Sequence, residues 1–382
     1  MQVPILSDKP SHRVIKLGSW FCPLPLVLFL AFSIWRNAKD PYRHFPEPAQ
    51  LFSIALTVTF PIVPFLLRFR SLRFACSVIS LWTLLSLALV IGLDLRENAL
   101  RASGETIAPV GIWHFDSRYG YSHLPNSKGT HHFKDSRYDV TYTIDSSGAR
   151  ITPTPRDPKG RIAILGCSFA FGYRVEDEAC FPHRLGVLWP QWKVENWGVS
   201  GWGTAHAYLK LQNLIQRDPQ PAVVLYAMHH SHILRNYVRA SWIHILQGHH
   251  SFGKEKEPRG HPHFELSQGE PRYLGIITTG GVPDSPELLE KEVEMTRALL
   301  LSLKRLCDDH HIRFGLILFG EKGGYRPFLP ALREAKVPMI DCCDLKMQSF
   351  PYDHHPNAKD HRRIAERIAA SFVSEWIQEP LK

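Results

Sequence analysis

The sequence has no glycine-rich phosphate loop and no internal repeat, which removes the common nucleotide-binding and solenoid classes. It also lacks a dense Lys/Arg patch interleaved with aromatics in its C-terminal two-thirds. The net charge of +9 therefore does not point to nucleic acid. Many of the basic residues instead flank apolar stretches near the N-terminus. Cysteine is scarce, at seven residues. Cys22 and Cys76 lie in apolar stretches. Cys167, Cys180, Cys307, Cys342 and Cys343 are an odd set, so at least one thiol is free or pairs between chains, and spacing leaves the pairing open.

Three apolar stretches, 17–35, 51–67 and 72–93, each approach the ~20 residues needed to cross a bilayer. Pro23, Pro25, Pro61 and Pro64 interrupt the first two, as membrane helices tolerate. No small-residue cleavage site follows the first, so it does not read as a signal peptide. Arg68, Arg70 and Arg73 sit in the loop before the third stretch without an acid, and Lys9, Arg13 and Lys16 precede the first. Basic loops stay inside. The expectation is a multi-pass inner-membrane protein with residues 1–100 in the membrane and everything after Asp94 extracytoplasmic.

Residues 101–157 read as a small β-rich lead-in, because Tyr138 to Asp145 alternates in the strand manner and ends at a Ser-Ser-Gly turn. From 158 to 382, apolar runs at 161–165, 193–197, 223–228, 313–319 and 337–341 alternate with helical patterns. That pattern predicts an α/β domain, a parallel sheet with helices on both faces. One helix is expected over 285–307, with Ser285 as its cap and Pro286 in its first turn. Residues 242–275, with His244, His249, His250, His261 and His263, lack a tight carboxylate or Cys pattern. They read as a solvated insertion loop over a functional site rather than a metal centre.

The most telling stretch is 164–172, Ile-Leu-Gly-Cys-Ser-Phe-Ala-Phe-Gly. Ser168 stands in a strand-to-helix turn, where a hydroxyl is exposed and backbone N–H groups can face a developing oxyanion. Residues 353–357, Asp-His-His-Pro-Asn, offer an acid and a base near the far end of the chain. In active sites of this kind the parts lie at the carboxyl ends of strands, and Ser168, Gly201 and His230 each follow a predicted strand.

The chain resembles the SGNH/GDSL hydrolases. The resemblance rests on Gly166-Cys167-Ser168, on Asn196-Trp197-Gly198-Val199-Ser200-Gly201, and on Asp353, His355, Pro356 and Asn357, in the expected order. It implies a flavodoxin-like three-layer fold, Ser168 as nucleophile, His355 as base and Asp353 as its orienting acid. It places Gly201 in the oxyanion hole. Cys167 stands where the family has Asp. His229-His230-Ser231-His232 replaces the third block, and His230 falls nearest the family's Asn. Asp353 and His355 are two residues apart instead of three, which leaves Asp341 and Asp344 as alternatives for the acid. Membrane anchoring resembles the members that add or remove O-acetyl groups on cell-surface polysaccharides. The implied substrate is an acylated glycan or another ester, with a membrane partner supplying acyl donor if the enzyme is a transferase. The reading calls for no cofactor and no metal. A second reading is a non-catalytic assembly or glycan-binding protein on a degenerate scaffold of the same kind.

Overall fold

The five runs at 161–165, 193–197, 223–228, 313–319 and 337–341 become the five strands of one parallel sheet. The structure is a computed structural model that describes residues 111–133, 138–248, 259–345, 347 and 354–378. The three apolar N-terminal stretches and Asp353 lie outside the described residues. Among the described residues, no helix is long and apolar enough to cross a membrane.

In chain order, the elements begin with two antiparallel pairs. These are β1 (Trp113–His114) with β2 (Ser122–His123), and β3 (Lys128–Phe133) with β4 (Tyr138–Thr143). Then come β5 (Arg161–Gly166), α1 (Ser168–Phe171), α2 (Phe181–Leu188), β6 (Lys193–Gly198), α3 (Thr204–Leu214) and β7 (Val223–His229). These are followed by α4 (Ala240–Gly248), the β8 (His261–Ser267) and β9 (Glu270–Ile277) hairpin, and α5 (Leu288–Asp309). The chain continues through β10 (Arg313–Phe319), α6 (Leu329–Glu334), β11 (Met339–Asp341), α7 (Ala358–Ala369) and α8 (Val373–Gln378).

The sheet order is β11-β10-β7-β5-β6, all parallel. Alternate residues of each strand face opposite layers. Ala163, Leu165, Val224, Tyr226, Leu316 and Leu318 pack against α3, α5 and α6. Ile162, Ile164, Val194, Leu225, Ile317 and Ile340 pack against α2, α7 and α8. Burial on both faces is why β5, β7 and β10 read as nearly unbroken apolar runs. Chain order reverses at β5, whose neighbours are β6 on one side and β7 on the other. The crevice at the carboxyl ends of such a reversal is where ligands bind in open α/β sheets.

The lead-in is not a separate body. Residues Arg101–Lys382 form one compact unit. Tyr121, Phe133, Val140, Tyr142 and Ile144 share a core with Phe171, Tyr173 and Trp202.

Two expectations need correction. The 242–275 segment is not a solvated loop. Its described parts are α4 and the β8/β9 hairpin, and His261 is fully buried, edge-on to His206 at 4.6 Å. The hairpin closes through Gln268-Gly269, both with positive φ (52° and 82°), the geometry a two-residue hairpin turn requires. Helix α5 begins at Leu288 rather than Ser285. The residues between form a turn in which Leu288 N–H donates to Ser285 O and Leu289 N–H to Pro286 O.

Several core histidines serve as apolar rings. His361 accepts from Phe181 N–H at 3.2 Å, tying α7 to α2. Burial pushes His123, His261 and His361 down to about 3, so all three are neutral in the fold. In the unfolded chain each titrates near 6.5. Their contribution to stability is complete above about pH 6.5 and is lost as pH falls toward 3, by up to about 1.4 kcal/mol per pH unit for each group. The urea midpoint of the full chain should therefore drop clearly between pH 7.5 and pH 5. An unchanged midpoint would contradict neutral buried histidines.

Candidate active site

Ser168 is the first residue of α1, a single helical turn laid across the end of β5 and β6. Cys167 caps it in extended conformation (φ −98°, ψ −154°) without a side-chain bond. Gly172 N–H and Tyr173 N–H both return to Ser168 O at 3.0 Å, closing the turn. The turn sits so close to β6 that a Cβ at Gly198 would lie 2.2 Å from Phe171 N, so only glycine fits there. Cys167 is buried at 2 % exposure and Ser168 is half-buried, so the serine is the one available to the crevice.

His355 comes from the opposite end of the domain. Asn357 caps α7, its Oδ1 accepting from Lys359 N–H (2.9 Å) and Asp360 N–H (3.1 Å), while Asp360 Oδ2 accepts from Asn357 N–H (3.2 Å). This capping box fixes the entry of the chain two residues after the histidine. The His355 Nε2 to Ser168 Oγ distance is 2.8 Å, a hydrogen bond between residues 187 positions apart. Tyr173 (ring centroids 4.7 Å) and Phe169 (5.5 Å) contact the imidazole. Neither ring carries a sequence signature, since an aromatic beside a serine belongs to no motif.

The two alternative acids are engaged elsewhere. Asp341 pairs with Lys322 at 2.8 Å, and Asp344 with Arg367 at 2.9 Å. Asp353, two residues before His355, is outside the described residues.

Gly201 sits in the turn after β6, where Trp202 N–H donates to Val199 O at 3.0 Å. Its φ of +86° at the third turn position is glycine's conformation. Tyr121 of the lead-in covers it from behind, donating its hydroxyl to Ser200 O at 2.9 Å.

The third block places two imidazoles after β7. His230 Nδ1 accepts from Glu321 N–H at 3.0 Å, which puts its proton on Nε2. His229 Nδ1 accepts from Ser231 N–H at 3.3 Å, giving the same tautomer, and its ring packs on Phe169 at 4.8 Å. Burial, and then the neighbouring His230, hold His229 well below the usual histidine range, so it is neutral. His229 therefore lies against the residue that follows Ser168. Strand register alone favoured His230, because the last strand residue and the first turn residue are indistinguishable by pattern.

The five cysteines among the described residues are free thiols. Four are buried and Cys343 is half-buried. Burial pushes Cys342 and Cys343 up to about 12, which keeps them protonated and unreactive.

No protein-family model matches the sequence. No curated protein matches it. Among solved structures, it is similar to a psychrotrophic esterase from Pseudoalteromonas sp. at 15 % identity, covering 58 % of this chain and 100 % of that one, TM-score 0.37. It is similar to a carbohydrate acetylesterase family member from Sinorhizobium meliloti at 10 % identity, covering 58 % and 100 %, TM-score 0.36. A member of the lipolytic protein G-D-S-L family from Veillonella parvula is similar at 10 % identity, covering 56 % and 98 %, TM-score 0.33.

The tight packing at Gly201 can be measured without an assay. A Cβ there would stand 2.3 Å from Tyr121 Oη, and the positive φ adds strain of about 1–2 kcal/mol. Gly201→Ala should lower the melting temperature, and Tyr121→Phe should recover part of that loss in the double variant by removing the clashing oxygen. Additive losses in the double variant would contradict the contact.

Proposed function

We propose that the chain is a serine esterase or O-acyltransferase that works through an acyl-enzyme on Ser168. The observation that carries this is the 2.8 Å bond between Ser168 Oγ and His355 Nε2. A serine hydroxyl is a weak nucleophile until an adjacent base takes its proton. In the proposed reaction, His355 Nε2 takes the Ser168 proton as Oγ attacks the ester carbonyl. The resulting oxyanion is met by the N–H of Ser168, at a helix N-terminus where amides have no intrahelical partner, and by the N–H of Gly201. The imidazolium then protonates the leaving alkoxide. Water, or a sugar hydroxyl in a transferase, gives up a proton to His355 and resolves the acyl-enzyme. Asp353 is the acid assigned to orient His355, an assignment supported by the commitment of Asp341 and Asp344 to Lys322 and Arg367. By strand register His230 falls nearest the Asn of the enzymes the chain resembles, and His229 and His230 each have an Nε2–H to donate.

The proposed substrate is an ester-linked acetyl group on a cell-surface glycan, and a membrane partner supplies acyl donor if the acceptor is a sugar. This rests on the three-block resemblance combined with the apolar N-terminal third. The same third motivates the proposed location, an inner-membrane anchor with the catalytic domain outside.

Ser168→Ala and His355→Ala should each lower acetyl-ester turnover by roughly 10³-fold or more, and the double variant should be little worse than either, because both residues serve one step. Asp353→Asn should be milder. Of the third-block pair, the variant that loses turnover identifies the oxyanion donor, and His229→Ala is expected to lose more than His230→Ala. Full turnover in folded Ser168→Ala would overturn the nucleophile.

For topology, a reporter active only in the periplasm, fused after Lys382, should be active. A silent periplasmic reporter beside an active cytoplasmic one would reverse the orientation.

A further inference from the structure

Arg150 joins the lead-in to the sheet, and its side chain is entirely buried (0 % exposed). Its backbone N–H donates to Asn196 O of β6 at 3.0 Å, and an isolated bridge links it to Ile144. The guanidinium reaches directly beneath the nucleophile turn. Nη1 donates to Phe171 O and to Gly172 O, both at 2.7 Å. Nη2 donates to Val175 O at 2.7 Å, and Nε to Asp177 Oδ1 at 2.8 Å. The rings of Tyr142 and Phe171 contact the guanidinium, with centroids at 4.7 and 4.8 Å. Every carbonyl it binds lies between residues 171 and 175, immediately after the turn that carries Ser168.

That placement answers a structural problem. Four residues of helix do not hold their own shape in water. The carbonyls at the end of such a turn have no partners within it. At the other end, Cys167 supplies no side-chain bond. Asn196 Nδ2 adds one bond to Phe171 O at 3.3 Å, the Tyr142 hydroxyl accepts from Arg174 N–H at 3.0 Å, and Arg150 supplies three more bonds to this segment. Only an arginine offers five N–H donors in a rigid planar fork, enough for three carbonyls and a carboxylate at once. A cation at the C-terminal end of a helical turn is also favoured by the backbone dipoles. The same segment carries Tyr173, whose ring lies 4.7 Å from that of His355.

We propose that Arg150 is the positioning residue of the Ser168–His355 pair. By clamping 171–175 from behind, it sets the direction of the Ser168 hydroxyl and seats Tyr173 against the base. The lead-in is then part of the catalytic unit rather than an accessory to it. The proposal rests on the serine-esterase reading.

The test compares Ser168 reactivity with stability in the full chain. The readouts are the second-order rate of labelling by a fluorophosphonate probe, kcat and KM for an acetyl ester, and the melting temperature. Arg150→Lys keeps the charge and loses the fork. Labelling should fall at least tenfold, with kcat reduced and KM little changed, since Arg150 touches no substrate. Leu214→Ala serves as the stability control. Leu214 is fully buried at the far end of α3, about 15 Å along the helix from Thr204. It should melt lower yet label within twofold of the parent. Asp177→Asn loosens the clamp while leaving the arginine in place, and it should give an intermediate labelling rate even if the Arg150 variants do not fold. Parental labelling in folded Arg150→Lys or Asp177→Asn would overturn the proposal, as would an equal labelling loss in Leu214→Ala. Failure of the parent protein itself to label would overturn the esterase reading and this proposal with it.

Discussion

A helix of four residues must be held from outside, and the domain is arranged around holding one. Ser168 opens that turn, and its hydroxyl must meet an imidazole 187 positions away. From below, β5 and β6 support the turn at a distance that Gly198 permits. From behind, Arg150 binds its terminal carbonyls. From the side, the capping box of α7 fixes where His355 enters. Each support comes from a different part of the chain, so the contact between Ser168 and His355 forms only when the domain is complete.

The sheet was readable in the sequence because its strands are buried on both faces. All five apolar runs became strands within two residues of the expected bounds. The approach of Ser168 and His355 was readable because a serine in a strand-to-helix turn and a histidine before a C-terminal helix form a recognisable order of residue types. The β8/β9 hairpin was not. Its buried residues include His261 and Pro262, which read as polar or breaking, and Gln268-Gly269 stands where Asn-Gly would have signalled the turn. Arg150 was also illegible. An arginine is normally a surface residue, and nothing local in the sequence shows that three carbonyls and Asp177 will converge on it. The start of α5 slipped because Ser-Pro is a common helix opening, yet here it forms a separate turn.

The histidines show how local chemistry is set by burial. The histidines of 242–275 alone read in sequence as part of a solvated loop. In the fold, His206, His232 and His261 are buried and held below the usual histidine range by desolvation. His232 Nδ1 lies 2.7 Å from Tyr226 Oη beneath the sheet end, while His229 and His230 face Phe169 and Glu321. Neutral imidazoles pack like aromatic rings and still offer one directed N–H. That combination lets a block rich in histidine stand at the end of β7, beside the Ser168 turn, without adding charge to it.

The central claim is that Ser168 carries the acyl group. Brief exposure of the purified full chain to an acetyl ester near neutral pH, followed by rapid acid denaturation, digestion and mass spectrometry, measures this directly. The expected result is an acetyl adduct on the peptide bearing Ser168, preserved because denaturation stops the second half of the reaction, and lost in Ser168→Ala. An adduct on another residue, or equal acetylation in Ser168→Ala, would contradict the account.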